Sequence, residues 1–389
     1  MLTLKRITSG GRFIPQIDGL RFIAIMSVIV IHIHALLGQG HGVPKTVELV
    51  PYTETMHMLS KRGVYLFFVI SGFILGTPFA QMYINRSGTV NLKSYFKRRL
   101  TRLEPPYILC MIICTFVLVS RGTLIFREAL PHLLAGLGYA HAIFYDGQNN
   151  PINGVTWSLE VEIQFYILVP LLTLLYRIQG RGVRRTVLIT SILTSSWCSL
   201  HLLYFPIRIV YAAPFFLAGL LIADIHSEFG ELWKGANSYA WDGVALLGWP
   251  FVWIPAEPAA HLALPLLFIV LVIAAFRGRL VSRLLSLPFV TSIGGMCYSI
   301  YLFHFYIISA CEHRTESLTL GIHSYILYFI LQSAIVLPVV LVICGLFFVL
   351  IERPCMNPRW PQQLALAFQR SIRRNGRIRL ITSTLGVKE

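Results

Sequence analysis

Charge is what this chain has least of. Only 13% of its 389 residues are charged, and just 17 are Asp or Glu. Soluble globular domains carry about 25% charged residues, so a soluble fold is excluded. Also lacking are a glycine-rich nucleotide loop, a Gly-x-Ser-x-Gly elbow and a His/Cys set with zinc spacing. Seven cysteines are present, an odd number lying mostly within or beside apolar runs, so no disulfide framework is implied. Cys110 and Cys114 share a helix face, yet no further ligands stand near them and no metal site is expected.

Hydrophobic residues make up 56% of the chain. They fall into runs long enough for helices of about 20 residues, the length that crosses a bilayer. Such runs occupy residues 17–37, 60–79, 101–120, 157–176, 186–204, 208–225, 239–255, 260–276, 289–311 and 323–350. The expected fold is therefore all-α, a polytopic membrane bundle of about ten transmembrane helices.

The net charge of +16 does not point to nucleic acid, because the basic residues sit in short clusters between apolar runs. Positive-inside topology explains them. Ala129 to Phe144 is apolar but short and interrupted by Pro131, His132, Gly136 and Gly138. Reading it as a re-entrant or interfacial helix puts every strong basic cluster on one side: Lys5, Arg6 and Arg12; Lys93, Lys97, Arg98 and Arg99; Arg177 to Arg185; and Arg277, Arg279 and Arg283. Both termini are then expected in the cytoplasm. The first apolar run follows a basic start as a signal peptide does, but it is too long and lacks a small-residue cleavage site, so it reads as a retained span. Three regions result: a cytoplasmic N-terminal segment (1–16), one transmembrane domain (17–354) and a basic cytoplasmic tail (355–389). After Pro354 the tail holds seven basic residues against Glu389, a composition suited to the inner membrane surface.

Arg21 and His32 are ionisable residues within the first span, a placement that marks function by default. Eleven residues of helix put them near one face, about 16 Å apart. Arg98, Arg99 and Arg102 form a compact run before Pro105-Pro106, where guanidinium groups can clamp phosphate bidentately; a plain positive-inside anchor fits this run equally. Trp157 to Tyr166 opens another span with Glu160 and Glu162, which two-residue spacing points to nearly opposite faces, so only one can face a site. Tyr298 to His304 places a second histidine in a span. His34 lies about 200° around the helix from His32 and cannot easily share its site. Ser71-Gly72 reads as a packing step, and Glu352-Arg353-Pro354 as a charged helix end at the cytoplasmic interface.

Taken in series, these stretches resemble the acyltransferase 3 family of integral membrane proteins, which O-acylate sugars, glycans and related acceptors. The resemblance rests on Ile17 to Arg21 with His32, Leu66 to Phe73, Arg98 to Pro105, Trp157 to Tyr166, Ser299 to His304 and Glu352 to Pro354, in that order. Where the family often shows two adjacent acidic residues, here Ile163 follows Glu162, so only Glu162 carries over. The resemblance implies an acyl-CoA co-substrate, most simply acetyl-CoA, with no resident cofactor, and a saccharide or glycan hydroxyl as acceptor in a bacterial cytoplasmic (inner) membrane. It implies His32 as general base, Arg21, Glu162 and His304 as further catalytic groups, and Arg98, Arg99 and Arg102 as the donor-binding set. Residues 38–61 and 121–156 are the loops expected to select the acceptor, yet they carry no recognisable sugar-binding motif, and Tyr145, Asp146, Gln148 and Asn149 fit a sugar contact and an ordinary interfacial loop equally. A transporter or flippase using buried Arg, His and Glu as a relay is the alternative.

Overall fold

The computed structural model describes residues 6–7, 13–37, 50–201, 208–228, 237–253, 258–315, 322, 324–357 and 359–362. Lys5, Arg12, residues 38–49 of the first loop expected to select the acceptor, and the tail beyond 362 lie outside the described residues. The described chain folds into α1 (Pro15–Leu37), α2 (Val50–Tyr83), α3 (Leu92–Ser120), α4 (Phe126–Leu137), α5 (His141–Phe144), α6 (Trp157–Leu172), α7 (Arg181–His201), α8 (Ile209–Glu228), α9 (Tyr239–Trp253), α10 (Pro258–Arg277), α11 (Arg279–Leu285), α12 (Pro288–Gly295), α13 (Cys297–Thr315), α14 (Tyr325–Phe347) and α15 (Arg353–Cys355). A π-helical turn, Phe348–Glu352, joins α14 to α15.

The fold is all-helical among the described residues, as composition requires of a membrane protein that must pair its own backbone groups. Among the described residues, six helical stretches are long and apolar enough to cross a membrane: Pro15–Ala35, Lys61–Tyr83, Leu92–Ser120, Gly154–Arg177, Ile209–Glu228 and Tyr325–Cys355. The bent pair α12 and α13 makes a seventh if counted as one span. The expected ten are not reached among the described residues. α9 has 15 residues, the described apolar part of α10 is Leu262–Arg277, and α7 is diluted by Arg, Ser and Thr. The Ala129–Phe144 stretch forms two short helices, α4 and α5, neither long enough to span.

α1 is buried on two sides, which is why its sequence is apolar almost all round. One side packs on α2 in a core with Leu66, Val69, Phe73, Phe216 and Leu220. The other packs on α13 and α14, where Ile25, Ile29 and Ile33 meet Ile300, Ile308, Val336 and Val340. Small residues set the helix spacing. α2 and α8 touch at Gly72 and Gly219, where a Cβ on either would come within 2.3 Å of the opposite backbone, at Phe216 or Val69. α12 approaches α1 even more closely, with Gly294 against the Asp18 carbonyl.

The run 289–311, which reads as one span, is broken at Met296 with a bend of 73°. The bend lets α12 lie against α1 through Gly294, while α13 sets off in a new direction, still packed on α1, from a fresh N-terminus at Cys297. A cluster of ions ties α7 to α8: Arg184 and Arg185 both hold Asp224, and Arg185 also reaches Glu228 at 2.6 Å.

Candidate active site

His32 and His304 meet where α1 crosses α13. Their rings lie 4.9 Å apart in an edge-on arrangement, and His304 Nε2 is 3.3 Å from His32 Nδ1. The surrounding carbonyls decide the tautomers. His32 Nδ1 lies 2.8 Å from the Val28 carbonyl oxygen, which can only accept, so Nδ1 carries a proton. His304 Nδ1 lies 2.9 Å from the carbonyls of both Ile300 and Tyr301 and is protonated by the same logic. His304 Nε2 therefore presents a lone pair to His32 Nδ1–H, and the lone pair of His32 stands on Nε2. His304 is fully buried, whereas His32 is half-buried beside Phe305. His34, on the other side of α1, bonds Tyr325.

A second polar group gathers where the N-terminal parts of α1 and α13 meet α3. Asp18 is fully buried, holding Arg21 at 2.8 Å and Arg6 at 3.4 Å. Glu352 is fully buried as well, accepting from both the backbone N–H and the hydroxyl of Ser299 at the start of α13. A fresh helix N-terminus, with its unpaired N–H groups, is a natural seat for a carboxylate. This corrects the expectation of an interfacial charge at Glu352, which the broken helix draws inside. Arg102 lies within electrostatic range of Glu352 and Arg6. Burial first, and then the Arg21 charge, push Arg6 down to about 9. Buried Nε atoms of Arg6 and Arg102, and Glu352 Oε1, have no hydrogen-bond partner among the described residues.

Glu162 adjoins the arginine cluster. Its Oε1 accepts from Ser71 at 2.7 Å and from Tyr166 at 2.5 Å, and its charge acts on Arg21. Arg99 lies over the Tyr95 ring at 3.9 Å and donates to the Tyr95 carbonyl at 3.1 Å. Counting Arg6, Arg21, Arg99 and Arg102 against Asp18, Glu162 and Glu352, the cluster holds one more positive than negative group. Arg98 is exposed, within electrostatic range of Arg99. Glu160 points elsewhere, accepting from the Ala142 N–H at 3.2 Å and so fixing α5.

The sequence singled out Arg21, His32, Glu162, His304 and the arginine run, but not Asp18 or Ser299. Asp18 was visible one turn before Arg21, the spacing of a helical ion pair. Ser299 carried no such signal, because its partner Glu352 is 53 residues away. Tyr301 was also passed over as a contact. It donates to the Val155 carbonyl at 2.6 Å and receives the Ser158 hydroxyl at 3.1 Å, tying α13 to the start of α6.

Two facing imidazoles, one buried and one half-buried, and an arginine-rich cluster thus lie in one bundle whose long apolar helices suit a membrane. The family model described as an acyltransferase domain matches residues 14–351, and the chain belongs to the acyltransferase 3 family. It is similar to O-acetyltransferase OatA of Staphylococcus aureus strain NCTC 8325 / PS 47, 26% identical over 358 residues, covering 83% of this chain and 55% of that protein. It is also similar to the putative O-acetyltransferase SACOL0978 of S. aureus strain COL, 32% identical over 183 residues, covering 44% of this chain and 26% of that protein. The chain thus spans about half the length of the first of these relatives. No solved structure matches it.

Proposed function

We propose that this protein is a membrane O-acyltransferase that moves an acyl group, acetyl in the simplest case, from acyl-CoA to a hydroxyl of a saccharide or glycan. The observation that carries the reading is the tautomer arrangement of the histidine pair, which leaves the lone pair of His32 on Nε2. Family membership and the relatives' names support acyl transfer to oxygen.

In the proposed reaction His32 Nε2 takes the proton of the acceptor hydroxyl as its oxygen attacks the thioester carbonyl. The C–O bond forms, the C–S bond breaks, and the departing sulfur takes the proton from His32, giving ester and free thiol. The imidazolium formed on the way is held by the Val28 carbonyl and by His304 Nε2, both placed at His32 Nδ1. His304 thus acts through His32. Arg99 and Arg102, with Arg98 at the rim, bind the donor's phosphates. Arg21, held by Asp18 and near Glu162, stabilises negative charge on the donor side. The helix spacing of about 16 Å between Arg21 and His32 separates a phosphate-binding end from the reacting end, as an extended donor requires. The protein would sit in the bacterial cytoplasmic membrane with both termini inside, so that acyl-CoA enters from the cytoplasm.

Purified protein in lipid nanodiscs, supplied with acetyl-labelled CoA and a panel of candidate glycans, tests this reading. Labelled ester on a glycan is the expected product. Vectorial movement of glycan without ester would support a transporter instead.

A further inference from the structure

We propose that Trp360 is a positioning residue: by pairing a carbonyl that Pro105 leaves without its helical donor, it fixes the turn of α3 that carries Arg99 and Arg102. The consequence for catalysis rests on the donor role given to those arginines above; the structural claim does not.

α3 runs through Pro105 and Pro106 without ending. Neither proline has an N–H, so the Thr101 and Arg102 carbonyls, four residues earlier, lose their normal helical partners. A helix interrupted in this way takes whatever bend its replacement donors impose. Here the indole Nε1–H of Trp360 donates to the Thr101 carbonyl at 2.9 Å, across 259 residues of sequence. Two residues on, the Tyr298 hydroxyl donates to the Leu103 carbonyl at 3.0 Å. The proline pair is thus gripped from the post-helical segment and from α13. Thr101 lies between Arg99 and Arg102, so the gripped carbonyl belongs to the turn that aims both guanidinium groups.

Trp360 is itself held in place. Glu352 is buried on Ser299, Cys355 and Met356 are buried, and α15 packs against α3. Asn357 closes a turn in which its side chain accepts from the Arg359 N–H at 3.0 Å and its carbonyl from the Trp360 N–H at 2.9 Å. The indole is half-buried at the end of this strap. Trp360 lies beyond residue 351, where the family match ends, so the arginine turn is set by a residue outside the matched stretch.

The test is a pair of substitutions in the full-length protein. Trp360→Phe keeps an aromatic ring and removes the N–H, while Pro105→Ala returns a backbone donor to the Thr101 carbonyl and makes the indole bond redundant. Two quantities are read: labelling of Arg99 and Arg102 by phenylglyoxal, followed by mass spectrometry, and the Kd for acetyl-CoA with kcat. Trp360→Phe alone should speed labelling of Arg102 and weaken acetyl-CoA binding about five-fold, the scale of one hydrogen bond, with kcat unchanged. In the Pro105→Ala background the same substitution should change neither. Unchanged labelling in Trp360→Phe, or an equal effect in both backgrounds, overturns the proposal. Should Pro105→Ala not accumulate in membranes, the Trp360→Phe labelling decides alone. If the unsubstituted protein fails to bind acetyl-CoA, the donor reading falls, and the labelling pattern still tells whether Trp360 sets the arginine turn.

Discussion

At the scale of single residues, the two carboxylates buried at the arginine cluster matter as much as the histidines. Asp18 is 0% exposed and joined to Arg21. Removing one partner of a buried ion pair leaves the other charge uncompensated, at a cost of about 3 to 5 kcal/mol. Asp18→Asn keeps the shape and loses the charge, so it should lower the thermal midpoint of the detergent-solubilised protein well beyond the effect of a surface substitution, a shift that differential scanning fluorimetry reads directly. His304→Ala, by contrast, removes one of the two acceptors at His32 Nδ1, leaving the Val28 carbonyl, without adding a charge. Acyl transfer should then lose about ten- to a hundred-fold in kcat, with donor KM little changed, because His304 supports the charged state of His32 and meets no phosphate. A loss confined to KM would contradict its place in the relay. Much of this scale was legible in the sequence, since buried Arg, His and Glu in apolar runs stand out against their neighbours. The exceptions were roles set by long-range pairing. Glu352 reads as a helix-end charge until the break at Met296 brings the Ser299 N–H to it.

Among elements, close approach governs placement. Gly72 and Gly219 let α2 and α8 touch backbone to backbone, and Gly294 lets α12 press on α1 beside Asp18. Gly72→Leu should sharply reduce the yield of folded protein from membranes, measured by size-exclusion chromatography, because the new side chain meets the Phe216 carbonyl rather than a flexible neighbour. Ser71-Gly72 was readable as a packing step, but not that Ser71 also donates to Glu162, a contact made across α2 and α6. The bend between α12 and α13 was not readable either. Residues 289–311 are predominantly apolar, and hydropathy has no term for a backbone that must turn to meet another helix. The helical class followed from composition; the number of crossings did not follow as directly, because short or polar-diluted helices such as α7 and α9 pass an apolar-run test more easily than a helix test.

For the molecule as a whole, the arrangement is one of two ends joined by α1. Its N-terminal turns hold Asp18 and Arg21 among the arginines, and its later turns hold His32 against His304. A donor bound by its phosphates at one end would carry its acyl group toward the other. Replacing Arg99 and Arg102 together by Gln should therefore weaken acetyl-CoA binding at least ten-fold by isothermal titration while the apolar core, and hence the elution profile, stays as it is. An unaltered affinity would reduce this run to a topological anchor.

The central claim is that His32 Nε2 is the base. Chemical rescue tests it most directly: acetyl transfer is followed in nanodiscs for the native protein and for His32→Ala, with and without added imidazole. Loss of at least a hundred-fold on substitution, partly restored by imidazole, is the expected result. Full transfer by His32→Ala without imidazole would contradict the account.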